Sequence, residues 1–323
     1  MRLGKLDNDE LERLVLHKFQ KSRKESLAAP EIGVDCAALD LGGEIAVLSC
    51  DPITSASISH IGRLSVHVSC NDAAAAGAEP VGLLVTLLAP PSAMPGDIDR
   101  IANDLAAAAR EANVDVLGGH TEITNAVTRF VTNTTVLAKM PRTQMLRGMQ
   151  SGDALVMTKW AGLEGSAIIA EDFPRLFERL DPAVRTTALS FARYFNVVPE
   201  GRYAAAHGAT AMHDVTEGGI LGAAWEMAYA AGLSVTIDTE AIRIMPETSA
   251  ICSVAGIDPL RLISSGSMLI ACPDGKGMAE GLSAIGIPAA VVGRAEKGSG
   301  LYTLAGDRID PPGADELYRL FSK

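Results

Sequence analysis

Residues 69–89 read SCNDAAAAGAEPVGLLVTLLA. A run of alanines stops at Gly77, Pro80 follows, and an unbroken apolar segment closes the stretch. The pattern predicts an Ala-rich helix over IGRLSVHVSCNDAAAA, residues 61–76, halted by the glycine and proline. It then predicts a buried strand over VGLLVTLLA, residues 81–89. Hydrophobic residues make up 48% of the chain and aromatics only 4%, so the core must be built from Ala, Val, Ile and Leu. Alanine-rich helices laid on parallel or mixed sheets meet that requirement.

The same reading extends outward in both directions. Upstream, DCAALDL and EIAVLSCD flank Gly42-Gly43 as a hairpin closed by Pro52. Downstream, Asp97–Ala112 is an amphipathic helix with Ile98, Ile101, Leu105, Ala108 and Ala112 inward, followed by strands at VDVLGG and TRFVTNTTVLA. KMPRTQMLRGMQSGD reads as a linker. Beyond it come a strand (DALVMTKW), a helix (EGSAIIAED), a long helical region to Gly208 and a helix at GGILGAAWEMAYAAG. Strands at LSVTID, LISSGSMLIAC and AAVVGRAE complete the set. The expected organisation is two α/β (α+β) lobes, residues 1–145 and 150–323, as a chain of 323 residues requires.

A formal net charge of −11 argues against a nucleic-acid partner, because no basic stripe is present to neutralise phosphates. A small anionic ligand is compatible with it, since local amides or a metal override the global sign. The N-terminal MRLGKLDNDELERLVLHKF is charged and helical rather than signal-like. The longest apolar stretch is cut by Glu79-Pro80, so no membrane span is expected. Five cysteines without C-x-x-C spacing point to reduced thiols and a cytoplasmic location. Cys252 and Cys272 read as small buried hydrophobes.

Acids fall at element boundaries: Asp35, Asp51, Asp72 and the pair His120 and Glu122 in VLGGHTE. Such boundaries form the rim where α/β proteins bind ligands. A three-residue hairpin turn would set Asp35 opposite Asp51 and favour a cation between them. A two-residue turn would put them on opposite faces. Carboxylates without a thiolate or imidazole cluster suit Mg²⁺ and the phosphates it holds, although each acid alone could be a cap or turn former. Cys36, Cys50 and Cys70 lie beside key acids, but Cys50 should point away from Asp51 by strand alternation, and zinc-type spacing is missing. In MHDVTEGGILGAAWE, Asp214 and Glu217 have capping-box spacing, whereas Gly218 and Gly219 at a helix start would let an anion reach the backbone N–H groups. No P-loop, H-E-x-x-H, G-x-S-x-G or G-x-G-x-x-G occurs.

The landmarks GVDCAAL, SCDPIT, SCNDAAAAGAEP, VLGGHTE, GDALVMTK, HDVTEGGI and ISSGSMLIA follow one another from about Glu31 to Arg294. In that order the chain resembles the aminoimidazole-ribonucleotide synthetase (PurM-like) superfamily, most of all its HypE-like hydrogenase-maturation members. The resemblance implies a two-lobed fold whose N-terminal lobes pair into a homodimer with a shared β-barrel. It also implies an ATP-using enzyme without a P-loop. Asp35, Asp51 and Asp72 would hold Mg²⁺ and the ATP phosphates, and Asn71, Gly118, Gly119 and Thr121 would help to bind the nucleotide. Asp214, Gly218 and Gly219 would lie near the transferred phosphoryl group or the substrate. The acceptor would be a small molecule or a protein-borne thiocarbamate, phosphorylated on oxygen. Two alternatives stay open: a small-molecule kinase like thiamine-monophosphate kinase, and a nucleotide-binding scaffold without turnover.

Two positions depart from the family pattern. The residue after the paired glycines is usually acidic, and here it is His120. A protonated imidazole over the phosphates, with Glu122 as the replacement metal ligand, is the expectation; a partly lost metal site is the alternative. The tail reads LYRLFSK, without the cysteine on which HypE carries its carbamoyl group, and Cys36 is the nearest match to an N-terminal reactive cysteine.

Overall fold

The computed structural model describes residues 6, 8–19, 21–32, 36–54 and 56–321; Asp35 lies outside the described residues. The N-terminal lobe holds α1 (Asn8–Leu14), β1 (Ala37–Asp40), β2 (Glu44–Ile53), α2 (Ile61–Ala75), β3 (Glu79–Ala89), α3 (Pro95–Ala112), β4 (Asp115–Ile123) and β5 (Val131–Pro141). Its five strands run β1-β2-β5-β3-β4, antiparallel except for the β3–β4 pair. Helices α2 and α3 cover one face. Alanines 73–75 let α2 lie close to the sheet, and Gly62 lets it lie close to α3: a Cβ there would meet the Ile101 carbonyl at 2.5 Å. The other face stays open, with Leu84 52% and Leu117 60% exposed, and β4 is exposed along its whole length.

The C-terminal lobe begins with β6 (Ala154–Thr158), α4 (Leu163–Asp172), α5 (Pro182–Leu189), α6 (Val198–Ala206), β7 (Ala211–Asp214) and α7 (Gly219–Ala231). It continues with β8 (Ser234–Ile237), α8 (Pro246–Ala255), β9 (Met268–Cys272), α9 (Gly275–Ala284), β10 (Ala289–Glu296), β11 (Gly300–Thr303), β12 (Arg308–Ile309) and α10 (Tyr318–Phe321). The seven strands run β12-β11-β8-β10-β6-β9-β7. No helix among the described residues is long and apolar enough to cross a membrane.

One hydrophobic cluster spans both lobes, joining Val66, Ala73 and Ala74 of α2 to Val156, Met268 and Ile270 of the second sheet. Helix α2 is therefore the hub of the molecule. Gly201 of α6 packs so closely on it that a Cβ would come within 2.6 Å of the Ala74 carbonyl. Any acid on α2 thus sits where the lobes meet.

Three sequence expectations change on folding. The hairpin has the two-residue turn: Leu41 N–H donates to Glu44 O, Asp40 pairs with Ile45, and Gly42 and Gly43 take φ of 94° and 120°. The cross-strand argument for a cation between Asp35 and Asp51 therefore fails. The strand expected from Leu262 starts only at Met268, because Ser264 and Ser267 turn the chain; both hydroxyls reach the Trp160 carbonyl, at 3.4 and 2.5 Å. Helices α8 and α9 were not anticipated, since neither carries a long apolar period.

Candidate active-site cleft

A cleft of about 620 Å³ opens between the lobes. Strand β2 supplies one wall. Its alternation turns Ser49 and Asp51 toward α2 and Cys50 outward, where the thiol meets Asn133 and Thr135 of β5. The Ser49 hydroxyl lies between two carboxylates, 3.2 Å from Asp51 Oδ2 and in close contact with Asp72 Oδ2 on α2. Both acids line the cleft. Asp214, at the end of β7 and 2% exposed, lines it from the second lobe with Thr216 and Glu217. The fold therefore brings Asp51, Asp72 and Asp214 to one cavity across more than 140 residues of chain.

Other predicted residues lie elsewhere. Asn71 is fully buried, and its amide is committed to the inter-lobe seam: Nδ2 donates to Phe195 O at 2.8 Å, and Oδ1 accepts from Val197 N at 2.9 Å. It does not line the cleft. His120 also departs from expectation. His120, Thr86, Asn133 and Pro52 form one cross-strand row, so His120 shares the open face of the sheet, opposite to Asp51. Three strand spacings, about 14 Å, separate β4 from β2. Within one chain, His120 and Glu122 do not line the cleft; they face each other at 3.3 Å on an exposed edge. Thr121 pairs with Leu87 on the same edge. Gly119 has a structural reason to be glycine, because a Cβ would fall 1.8 Å from the Val85 carbonyl; at Gly118 a Cβ would have room.

The start of α7 is a further correction. Gly218 is its N-cap at φ 84°, so Asp214 and Glu217 do not form a capping box. Gly219 must be glycine, since a Cβ would lie 2.6 Å from the Leu260 carbonyl. The Gly218 N–H is already taken: it donates to Asp315 Oδ2 at 2.7 Å. Asp315 also accepts from Leu317 N at 2.9 Å, and burial pushes its carboxyl up to about 6. The chain's own C-terminal segment thus sits where the sequence placed an anion, with Leu317, Tyr318 and Phe321 along the cleft.

Glu164, in the first turn of α4, lines the cleft yet is 5% exposed, and burial raises its carboxyl to about 7. An acid in a first helical turn reads as an ordinary partner of the helix dipole, so the sequence gives no signal for it. Arg129 is the cation among the described lining residues. The cysteines do not join the site. Burial pushes Cys70 up to about 12, with Asp72 adding to the rise, so it is no thiolate. No group of three metal-ligating side chains forms a closed cage among the described residues. Asp51 and Asp72 are nevertheless a donor set of the kind Mg²⁺ uses, one or two carboxylates with phosphate oxygens completing the shell.

Two family models match, the AIR synthase related protein N-terminal domain over residues 33–140 and the C-terminal domain over 150–304. The chain belongs to the AIR synthase related family. It is 29% identical over 300 residues to a putative hydrogenase expression/formation protein of Methanocaldococcus jannaschii, covering 88% of each chain. It is 29% identical over 221 residues to the carbamoyl dehydratase HypE of Cupriavidus necator, covering 66% of this chain and 60% of that one. A solved structure of AaThiL complexed with AMPPCP and TMP matches with a TM-score of 0.77 and 19% identity, over 98% of both chains. HypE in complex with ATP matches with a TM-score of 0.68 and 19% identity, over 94% of this chain and 92% of that one. The chain shares the two-lobed PurM-like architecture of these two solved structures.

Proposed function

We propose that this chain is a cytoplasmic, Mg²⁺-dependent, ATP-using enzyme that phosphorylates an oxygen of its acceptor in the inter-lobe cleft, as a HypE-like hydrogenase-maturation factor. The observation that carries this reading is the convergence of Asp51 and Asp72 from one lobe with Asp214 from the other on one cavity. Asp51 and Asp72 would hold Mg²⁺, which neutralises phosphate charge when bound. Phosphoryl transfer asks mainly for positioning and charge neutralisation, which acids, a metal and a closed cleft can supply. Asp214 and Thr216 would face the acceptor end. The names of the relatives in M. jannaschii and C. necator support the maturation role.

The open face of the first sheet fits a homodimer. Its exposed Leu84, Leu117 and Leu137 and the unpaired edge of β4 would be covered by a second copy, as in the dimers the family resemblance implies. A kinase reading is the second candidate, favoured by the match to AaThiL along the full chain. Phosphorus NMR of the products separates the two. A kinase leaves phosphate on the acceptor, whereas dehydration releases ADP and inorganic phosphate together. Turnover that persists unchanged in Asp51→Asn contradicts both.

A further inference from the structure

Buried carboxylates elsewhere in the chain have structural partners. Glu200 pairs with Lys159 at 2.5 Å, and Asp153 accepts from Gln150 N at 2.8 Å and Thr210 Oγ1 at 2.5 Å. Asp315 takes the Gly218 and Leu317 amides. Glu164 differs. Its partners are the Ser265 N–H, at 3.3 Å, and the Ser265 hydroxyl. The charges acting on it are Glu217, from the loop before α7, and Asp315, from the C-terminal segment, both acidic. A glutamine would accept the same N–H without the cost of burying an ionisable group.

The side chain is also firmly placed. Gly165 N donates to Ile263 O at 2.9 Å, and a Cβ on Gly165 would meet the Leu262 side chain at 2.3 Å. The first turn of α4 therefore lies tight against residues 262–265, and Glu164 opens onto the cleft that Asp214, Thr216 and Glu217 line from the same lobe. Asp51 and Asp72 stand across from it.

We infer that Glu164 is the general base of this cleft, accepting the proton of the group that attacks the γ-phosphate. This rests on the ATP-using reading above. The attacking group gives its proton to the Glu164 carboxylate as its oxygen bonds to the γ-phosphorus: the N–H of an amide-type acceptor whose carbonyl oxygen attacks, the O–H of a hydroxyl acceptor, or water in the absence of either. The bond from that phosphorus to the bridging oxygen breaks, ADP leaves with the electron pair, and Glu164 returns the proton to solvent. Burial first, with Glu217 and Asp315 adding and the Ser265 hydrogen bonds opposing, raises the carboxyl to about 7, where a base works best at neutral pH.

Basal ATP hydrolysis, with water as the acceptor, tests the assignment in wild type, Glu164→Gln and Glu164→Asp between about pH 5 and pH 9. Wild type should show an acid limb near pH 7. Glu164→Gln should lose that limb and roughly a hundredfold in rate while still binding Mg-ATP; Glu164→Asp should keep a limb at a displaced pH. A Glu164→Gln profile that superimposes on wild type, or a wild type that binds Mg-ATP but shows no limb, overturns the assignment alone. If the glutamine variant does not fold, an unchanged limb in Glu164→Asp overturns it. Wild-type protein that fails to bind Mg-ATP takes down the cleft reading itself, a distinguishable result.

Discussion

Glu164 and Glu200 are both buried glutamates, and the molecule treats them in opposite ways. Glu200, on α6, pairs with Lys159, whose Nζ also donates to Tyr194 O at 2.9 Å and Asn196 O at 2.7 Å. The same segment is held from the other lobe by Asn71, so the ion pair anchors, within the second lobe, the stretch that the seam bonds grip. Glu164 faces the cleft beside two further acids and meets no comparable cation among the described residues. A charge buried with its partner holds the seam segment in place. A charge buried without one is left for chemistry.

The largest effect should come from breaking the ion pair. Lys159→Met leaves Glu200 buried and unpaired, and chemical denaturation should show a loss of about 3–5 kcal/mol. Adding Glu200→Gln should recover much of it. A single variant that loses nothing would mean that the pair contributes no more than a surface contact. Glu164 should behave in the reverse sense. Its folded pKa of about 7 lies above the unfolded value of 4.5, so the stability it lends is fully present below about pH 4.5 and is lost as pH rises through 7. Glu164→Gln does not titrate. Its stability advantage over wild type should grow across that window to about 3 kcal/mol and then level off, read by unfolding at a series of pH values. A constant difference would erase the contrast between the two glutamates.

A smaller effect belongs to Asp315. Removing its carboxylate in Asp315→Ala strands the Gly218 and Leu317 amides, costing about 1–2 kcal/mol. Hydrogen exchange at the Gly218 amide should speed up in that variant. Unchanged protection would mean that the C-terminal segment is not what satisfies the start of α7.

Much of the fold was legible because its punctuation is chemical. Gly77 follows the end of α2, Gly42-Gly43 marks the hairpin, and Ala73–Ala75 announce a helix that packs closely. The β10 span, residues 289–296, is the expected one. Helices α8 and α9 escaped because each is a ten-residue segment held mainly by tertiary packing. Within the site, Asp51, Asp72 and Asp214 could be singled out by their boundary positions, and their meeting in one cavity is a property of topology. Asn71 reads like a ligand in sequence, yet its two partners lie more than 120 residues away, on a seam that no local pattern reveals. His120 is singled out by its boundary position and by motif order, and only the strand register shows that it occupies the open face. Asp315 took the amide reserved for an anion because the C-terminal segment folds back across α7.

On the proposed function, Asp51 and Asp72 hold Mg-ATP in the inter-lobe cleft that Asp214 lines from the other lobe. Calorimetric titration of wild type and Asp51→Asn with ATP, each with and without Mg²⁺, tests it most directly. Wild type should bind ATP in a magnesium-dependent way, and Asp51→Asn should weaken that binding at least about tenfold, roughly 1.4 kcal/mol. Equal binding by both proteins, or none by wild type with magnesium present, would contradict it.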